Sequence, residues 1–65
     1  MRDAAMRVEA GISLRRAAKQ IGVSDNTLRV YEIDPAAVKS STKRDAIADY
    51  YRRLRTFLGM HAAAE

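Results

Sequence analysis

The chain has 65 residues, 48% of them hydrophobic, and its twelve Lys and Arg residues exceed its eight Asp and Glu residues, giving a formal net charge of +4. A chain of this length forms one domain with a small core. It contains no Cys and one His, which excludes disulfides, thiol nucleophiles and a zinc cluster. No apolar run approaches the ~20 residues of a membrane span and no signal peptide is recognisable, so we expect a cytoplasmic protein without membrane contact.

The first two elements are predicted to be helices, each with a capping residue before it and a glycine after it. Asp3 is placed to cap a helix over residues 4–10, and Gly11 ends it. Ser13 caps the second helix, which stops at Gly22. Apolar residues at the spacing i, i+3, i+4 and i+7 give this helix a buried face made of Leu14, Ala17, Ala18 and Ile21. The side facing water is formed by Arg15, Arg16, Lys19 and Gln20.

A third helix is predicted to start one residue after the second has stopped. Ser24 caps it, and Asp25 in its first turn interacts favourably with the helix dipole. Leu28 and Tyr31 face the core. The outward positions are Asn26, Arg29, Val30 and Ile33. The Asp34-Pro35 pair then closes the helix and favours a brief further helix over residues 35–39.

The last predicted helix opens at Thr42, because Thr42 and Asp45 match a capping box, and it runs to Leu58 with Gly59 as its stop. Its main apolar stripe consists of Ile47, Tyr51, Leu54 and Leu58. A second apolar seam consists of Tyr50, Phe57 and His61. Residues 1–60 should therefore form an all-α bundle of four to five helices, followed by a frayed tail over residues 61–65.

Two short helices joined by a tight turn with a glycine make the geometry of a helix-turn-helix. The chain resembles the phage-repressor and Cro-like (XRE-type) helix-turn-helix family. The resemblance is carried by GIS at 11–13, the alanine pair at 17–18, IGVS at 21–24 and TLRVYE at 27–32. It implies a lambda-repressor-like fold and a bacterial or phage DNA-binding regulator, such as a repressor or a mobile-element control protein, without cofactor or metal.

The resemblance also implies roles for individual residues. Family members commonly pair an arginine of the first helix with a glutamate that ends the recognition helix; Arg7 and Glu32 occupy these positions, and we expect a partly buried ion pair. The positions implied to contact base edges are Asp25, Asn26, Arg29 and Val30. The candidates for phosphate contact are Ser13, Arg15, Arg16, Lys39, Lys43 and Arg44.

A single domain of this size offers few contacts with double-stranded DNA, so we expect a symmetric homodimer, with the apolar seam at Tyr50 and Phe57 as its contact. Two positions depart from the family pattern. Leu14 stands where a glutamine that contacts the DNA backbone is usual, and Ile33-Asp34 replaces the glycine that usually follows the recognition helix. Both departures concern contacts with DNA and leave the expected fold unchanged.

Several alternatives remain open. The string TLRVYE is also similar to the MerR family, but a helix precedes it here and KSSTKRD follows it, which fits the first family better. The basic residues of the second helix can be an ordinary solvated face, and Asp25 can serve the helix dipole alone. A helix-turn-helix fold can also bind and inhibit another regulatory protein instead of DNA. An enzyme is not expected, because the single His61 offers no paired titratable groups.

Overall fold

The computed structural model describes the backbone of residues 2–63 and the side chains of residues 3–59. Its elements, in chain order, are α1 Arg2–Glu9, α2 Leu14–Ile21, α3 Asp25–Ile33, a 3₁₀ helix Pro35–Ala37 and α4 Ser41–Ala63. No β-strand occurs within these described residues, which confirms the all-α prediction. The long α4 contacts α1, α2 and α3, and α3 also contacts α2 and the 3₁₀ helix.

Serine caps and glycine turns fix the ends of α2 and the start of α3 as predicted. The Ser13 Oγ accepts a hydrogen bond from the Arg16 amide at 3.1 Å, and the Ser24 Oγ accepts one from the Thr27 amide at 3.1 Å. Gly22 ends α2 in the left-handed region at φ 94°. Because a side chain clashes with the backbone at such angles, a glycine is strongly favoured there.

The core lies between α4 and the other helices. Its buried apolar residues are Ala17, Ala18, Leu28, Tyr31, Val38, Ile47 and Tyr51. Both alanines are 0% exposed, so α2 lies against its neighbours with little side chain in between. The ring centroids of Tyr31 and Tyr51 are 6.4 Å apart in a stacked arrangement, which joins α3 to α4.

The predicted N-cap of α4, Thr42, is wrong by two residues. The helix begins at Ser41, and its cap is Ser40, whose Oγ accepts a hydrogen bond from the Lys43 amide at 3.2 Å. Thr42 is therefore an exposed residue within the first turn, and no capping box with Asp45 forms. The earlier start brings Arg44 to the preceding loop, where its Nη1 donates to the Val38 carbonyl at 2.7 Å.

The predicted end of α4 is also wrong. Gly59 does not stop the helix, which continues to Ala63. Only Gly11 and Gly22 have positive φ among the described residues, and a glycine stops a helix through that conformation. The alanines that follow are strong helix formers, which offsets the weak propensity of Gly59. Residues 64 and 65 of the predicted frayed tail lie outside the described residues.

Two smaller differences concern the other short elements. α1 begins at Arg2, so Asp3 lies in its first turn and does not cap it. The 3₁₀ helix ends at Ala37 and is shorter than the segment 35–39 that the sequence predicts. Asp34 does cap it, because its Oδ1 accepts a hydrogen bond from the Ala36 amide at 3.2 Å.

Candidate nucleic-acid interface

The turn between α2 and α3 is held by hydrogen bonds on both of its sides. The amides of Gly22 and Val23 both donate to the Ala18 carbonyl, at 2.9 and 3.0 Å. On the α3 side, the hydroxyls of Ser24 and Thr27 lie 2.8 Å apart, in addition to the cap formed by Ser24. These contacts fix the direction in which α3 leaves α2, so the outer face of α3 is presented in one orientation.

The outer face of α3 carries polar side chains without partners of their own. Asp25, Asn26 and Arg29 are exposed, and none of the three has a side-chain hydrogen bond or ion pair within the described part of the chain. Their donors and acceptors are therefore available to a ligand. Ile33 is 71% exposed at the end of the same helix, although isoleucine is usually buried.

Val30 differs from the position that the sequence predicts. It is half-buried and packs against the core, whereas Asn26 and Arg29 beside it are exposed. The helical spacing alone places Val30 outward, but it packs against the core cluster, which includes Val38 of the loop that follows the 3₁₀ helix. Val30 lines a cavity with Val38 of this loop. Val30 therefore forms part of a concave surface and does not belong to the fully exposed face of α3.

The basic residues of α2 are exposed but do not all lie on one side. Gln20 accepts a hydrogen bond from the Tyr50 Oη at 2.8 Å. Arg16 lies one turn before Gln20, and its positive charge influences the pKa of the same tyrosine. Burial raises the pKa of Tyr50, and the positive charge of Arg16 opposes this rise. Arg16 therefore lies towards α4. Arg15 and Lys19, which are one turn apart, form the other side of α2.

The loop before α4 brings two predicted phosphate contacts next to α3. Lys39 and Lys43 line the same cavity as Asn26 and Val30. Both lysines are exposed. Arg44 is different, because its guanidinium is half-buried and holds the Val38 carbonyl. Arg44 therefore supports the loop that carries Lys39, a role that spacing alone does not reveal.

A polar joint behind α3 ties the helix to the rest of the molecule. Arg7 Nε donates to Glu32 Oε2 at 2.9 Å and Arg7 Nη2 donates to Glu32 Oε1 at 3.2 Å, so the ion pair expected between these two residues is present. Arg7 Nη1 also donates to the Ile12 carbonyl at 2.8 Å, and Tyr51 Oη donates to Glu32 Oε2. The hydrogen bond with Glu32 raises the pKa of Arg7. Burial, followed by the hydrogen bond with Glu32, raises the pKa of Tyr51.

The proposed dimer residues have different surroundings. Tyr50 is half-buried. Its ring is edge-on to the Tyr51 ring at a centroid distance of 5.5 Å, and its hydroxyl donates a hydrogen bond to Gln20. Phe57 is 55% exposed further along α4. The side chain of His61, the third member of that predicted seam, lies outside the described residues. Phe57 is thus the more accessible of the two predicted contacts.

Sequence reasoning missed Thr27, Ser40 and Gln20. Thr27 and Ser40 line the cavity beside Asn26, and Gln20 binds Tyr50. The spacing of Ser24 and Thr27 was a usable signal for Thr27, since a cap and a residue three positions later face each other. The contact of Gln20 with Tyr50 spans 30 residues and has no local signal.

No group of three or more His, Cys, Asp or Glu side chains among the described residues is arranged to hold a metal ion. None of the described helices combines the length and apolar character that crossing a bilayer requires. Comparisons of the chain with protein-family models, with curated proteins and with solved structures found no match.

Proposed function

We propose that the chain is a sequence-specific DNA-binding regulator of the helix-turn-helix type, with a lambda-repressor-like arrangement in which α3 enters the major groove. The observation that carries this proposal is the outer face of α3. It presents Asp25, Asn26 and Arg29, which have no side-chain partner among the described residues, on a helix whose direction is fixed by Gly22 and Ser24. An asparagine reads adenine with two hydrogen bonds, an arginine reads guanine, and a carboxylate accepts from cytosine.

The distribution of charge supports a polyanionic partner. Residues 10–24 contain Arg15, Arg16 and Lys19 but no acidic residue. All three basic side chains are exposed, and none forms an ion pair among the described residues. Positive side chains beside a groove-reading helix contact phosphates, which fixes the register of the protein on the duplex. In this proposal, Ser13, Lys39 and Lys43 extend that contact.

A dimer would give this small domain useful specificity. One α3 reads only a few base pairs, and two copies related by a twofold axis would place their recognition helices about 34 Å apart on a palindromic site. Phe57 supports a contact through the second half of α4, because an exposed aromatic ring favours association. In this proposal, the chain acts as a repressor or a mobile-element control protein and needs no cofactor.

The proposal is tested by an NMR titration with DNA duplexes at several salt concentrations. Binding in the major groove should shift the amides of residues 24–33 and weaken steeply as salt rises, because released counterions drive the association. The amides of residues 46–54 in α4, which lie behind α3, serve as the internal control. Duplexes of varied sequence that shift neither region would contradict DNA binding.

A second candidate is a module that binds and inhibits another regulatory protein. The specific observation in its favour is Ile33, which is 71% exposed on the same face as Arg29. Apolar side chains surrounded by polar ones are typical of protein interfaces. This candidate predicts that no duplex shifts α3, and that Ile33→Asp abolishes binding of a regulator recovered from the host. If α3 reads DNA, Ile33→Asp should leave the choice among base pairs at the Asn26 position unchanged.

A further inference from the structure

A shallow cavity of about 240 Å³ lies between α3 and the start of α4. Its lining residues are Asn26, Thr27, Val30, Ala37, Val38, Lys39, Ser40 and Lys43. One wall therefore belongs to the proposed groove-reading helix, and the opposite wall belongs to the loop that follows the 3₁₀ helix. Arg44 holds this loop in place, because its Nη1 donates to the Val38 carbonyl at 2.7 Å.

The cavity carries positive charge, and none of the described residues that line it is acidic. Its charged lining residues are Lys39 and Lys43. Neither lysine forms an ion pair with another described residue. Elsewhere on α4 the basic residues are matched, since Asp49 pairs with both Arg52 and Arg53. Two unmatched cations at one concave surface favour an anionic ligand.

The floor of the cavity is apolar. Val38 is 6% exposed and Val30 is half-buried, and the methyl group of Ala37 adds to the same surface. Asn26 contributes an amide that has no partner in the described part of the chain, and the Ser40 hydroxyl can still donate while its oxygen caps α4. Small-molecule sites are typically about 300–1,000 Å³, mostly apolar, with a few placed polar groups. The volume here suits a ligand somewhat smaller than that range.

We propose that this cavity binds a small organic carboxylate with an apolar body, with the carboxylate between Lys39 and Lys43 and the apolar body on Val30 and Val38. Asn26 lines the cavity and also belongs to the outer face of α3. A bound carboxylate therefore excludes DNA from α3 and acts as an inducer. This second statement rests on the proposed function, whereas binding of the carboxylate does not.

The binding is tested by NMR titration of the whole chain with benzoate at constant ionic strength. We expect saturable shifts confined to the amides of residues 26–30 and 37–43. Acetate has the charge without the apolar body, and benzyl alcohol has the ring without the charge. Each should bind about tenfold more weakly, because each lacks one of the two parts of the contact.

Matched variants test whether Lys39 and Lys43 bind the carboxylate of benzoate. The double variant Lys39→Ala/Lys43→Ala should weaken benzoate binding about tenfold, because it removes both cations. These side chains are exposed, and Ser40 binds the backbone amide of Lys43, so the fold does not depend on them. Lys19→Ala removes an exposed lysine of α2 outside the cavity and should leave benzoate affinity unchanged. Absent or unsaturable shifts, equal affinity for acetate, or an unaffected double variant would overturn the proposed site.

The regulatory consequence has its own measurement. In fluorescence anisotropy with a labelled duplex, benzoate should release the DNA at concentrations that saturate the cavity, while acetate at equal ionic strength should not. DNA binding that persists with the cavity saturated overturns the inducer role. Benzoate binding by a protein that binds no duplex leaves the site in place but removes the proposed function. The failures of the two proposals are thus distinguishable.

Discussion

Arg7 and Glu32 are 25 residues apart in the chain, and their side chains meet at two points, with Arg7 Nε on Glu32 Oε2 at 2.9 Å and Arg7 Nη2 on Glu32 Oε1 at 3.2 Å. The side chains are only 12% and 8% exposed. Since Tyr51 also donates to the carboxylate, α1, α3 and α4 meet at one acidic group. The placement of α3, and with it the candidate interface, depends on this joint.

Arg7→Ala should destabilise the fold by about 3 kcal/mol, because it leaves the carboxylate of Glu32 buried without its cation. Urea unfolding followed by far-UV circular dichroism measures the change. Asp49→Ala is the control, because the partners of Asp49 are exposed arginines and such pairs contribute about 0–1 kcal/mol. Equal losses in the two variants would contradict the importance of the buried joint.

The stability of the fold should decline in alkaline solution. Burial raises the pKa values of Tyr31, Tyr50 and Tyr51 above the ordinary tyrosine value of 10.0. A raised pKa in the folded state means that the contribution is complete below pH 10.0 and is lost as the pH rises through the folded values. Urea midpoints should therefore show no loss from these groups between pH 7 and 9, and should fall above pH 10. Tyr51→Phe should flatten that fall, and an unchanged slope in this variant would count against the assignment.

Two glycines of the chain should respond in opposite directions to the same substitution. Gly22→Ala places a side chain at φ 94° and should destabilise the fold by about 1–2 kcal/mol, although no atom of the described residues lies within 4 Å of the added methyl group. Gly59→Ala lies within α4, also in open space, and should stabilise it by about 0.5–1 kcal/mol. Thermal unfolding of both variants measures the difference. A stabilising Gly22→Ala would show that the turn adopts another conformation.

The proposed interface separates contacts with phosphates from contacts with bases. Arg15→Ala should weaken binding to all duplexes alike and reduce the log–log salt slope by about 0.9 for one lost phosphate contact. Asn26→Ala should weaken preference at a single base pair by about 1–3 kcal/mol and leave the salt slope unchanged. Fluorescence anisotropy with a set of single-base variants of the site measures both effects. Uniform losses from both substitutions would contradict the assigned roles.

The dimer contact should depend on Phe57 more than on Tyr50. Phe57→Glu places a charge at an exposed ring position and should convert a dimer to a monomer in sedimentation experiments. Tyr50→Phe keeps the ring and removes only the hydrogen bond with Gln20, so it should leave the association unchanged. An unsubstituted chain that sediments as a monomer at high concentration would remove the proposed dimer.

Local chemistry explains which features the sequence could predict. The ends of α2 and the start of α3 followed from Ser13, Gly22 and Ser24, because a cap or a glycine stop acts within a few residues of itself. The same local rules do not single out the start of α4, since several hydroxyl residues in KSSTKRD can cap a helix. In the structure Ser40 is the cap, and Arg44 in the first turns of the helix donates to the Val38 carbonyl in the preceding loop. This second contact lies outside the helix, so the helix sequence does not reveal it.

The cavity could not be predicted from the sequence. A helical wheel gives the direction of Val30 but does not show that Val30 packs against a core cluster that includes Val38. Lys39 and Lys43 line the same cavity as Asn26 because the 3₁₀ helix, which contacts α3, leads the chain back beside it. The Arg7–Glu32 pair was expected only through the family resemblance, since no local pattern relates positions so far apart.

The clustered tyrosines give the protein a built-in optical reporter. The chain has three tyrosines and no tryptophan, and all three tyrosines pack around the contact between α3 and α4. Near-UV circular dichroism arises from aromatic rings held in fixed asymmetric surroundings, and it disappears when packing loosens while helices persist. The near-UV circular dichroism of the unlabelled chain therefore reports the packing of α3 against α4 separately from the helix content.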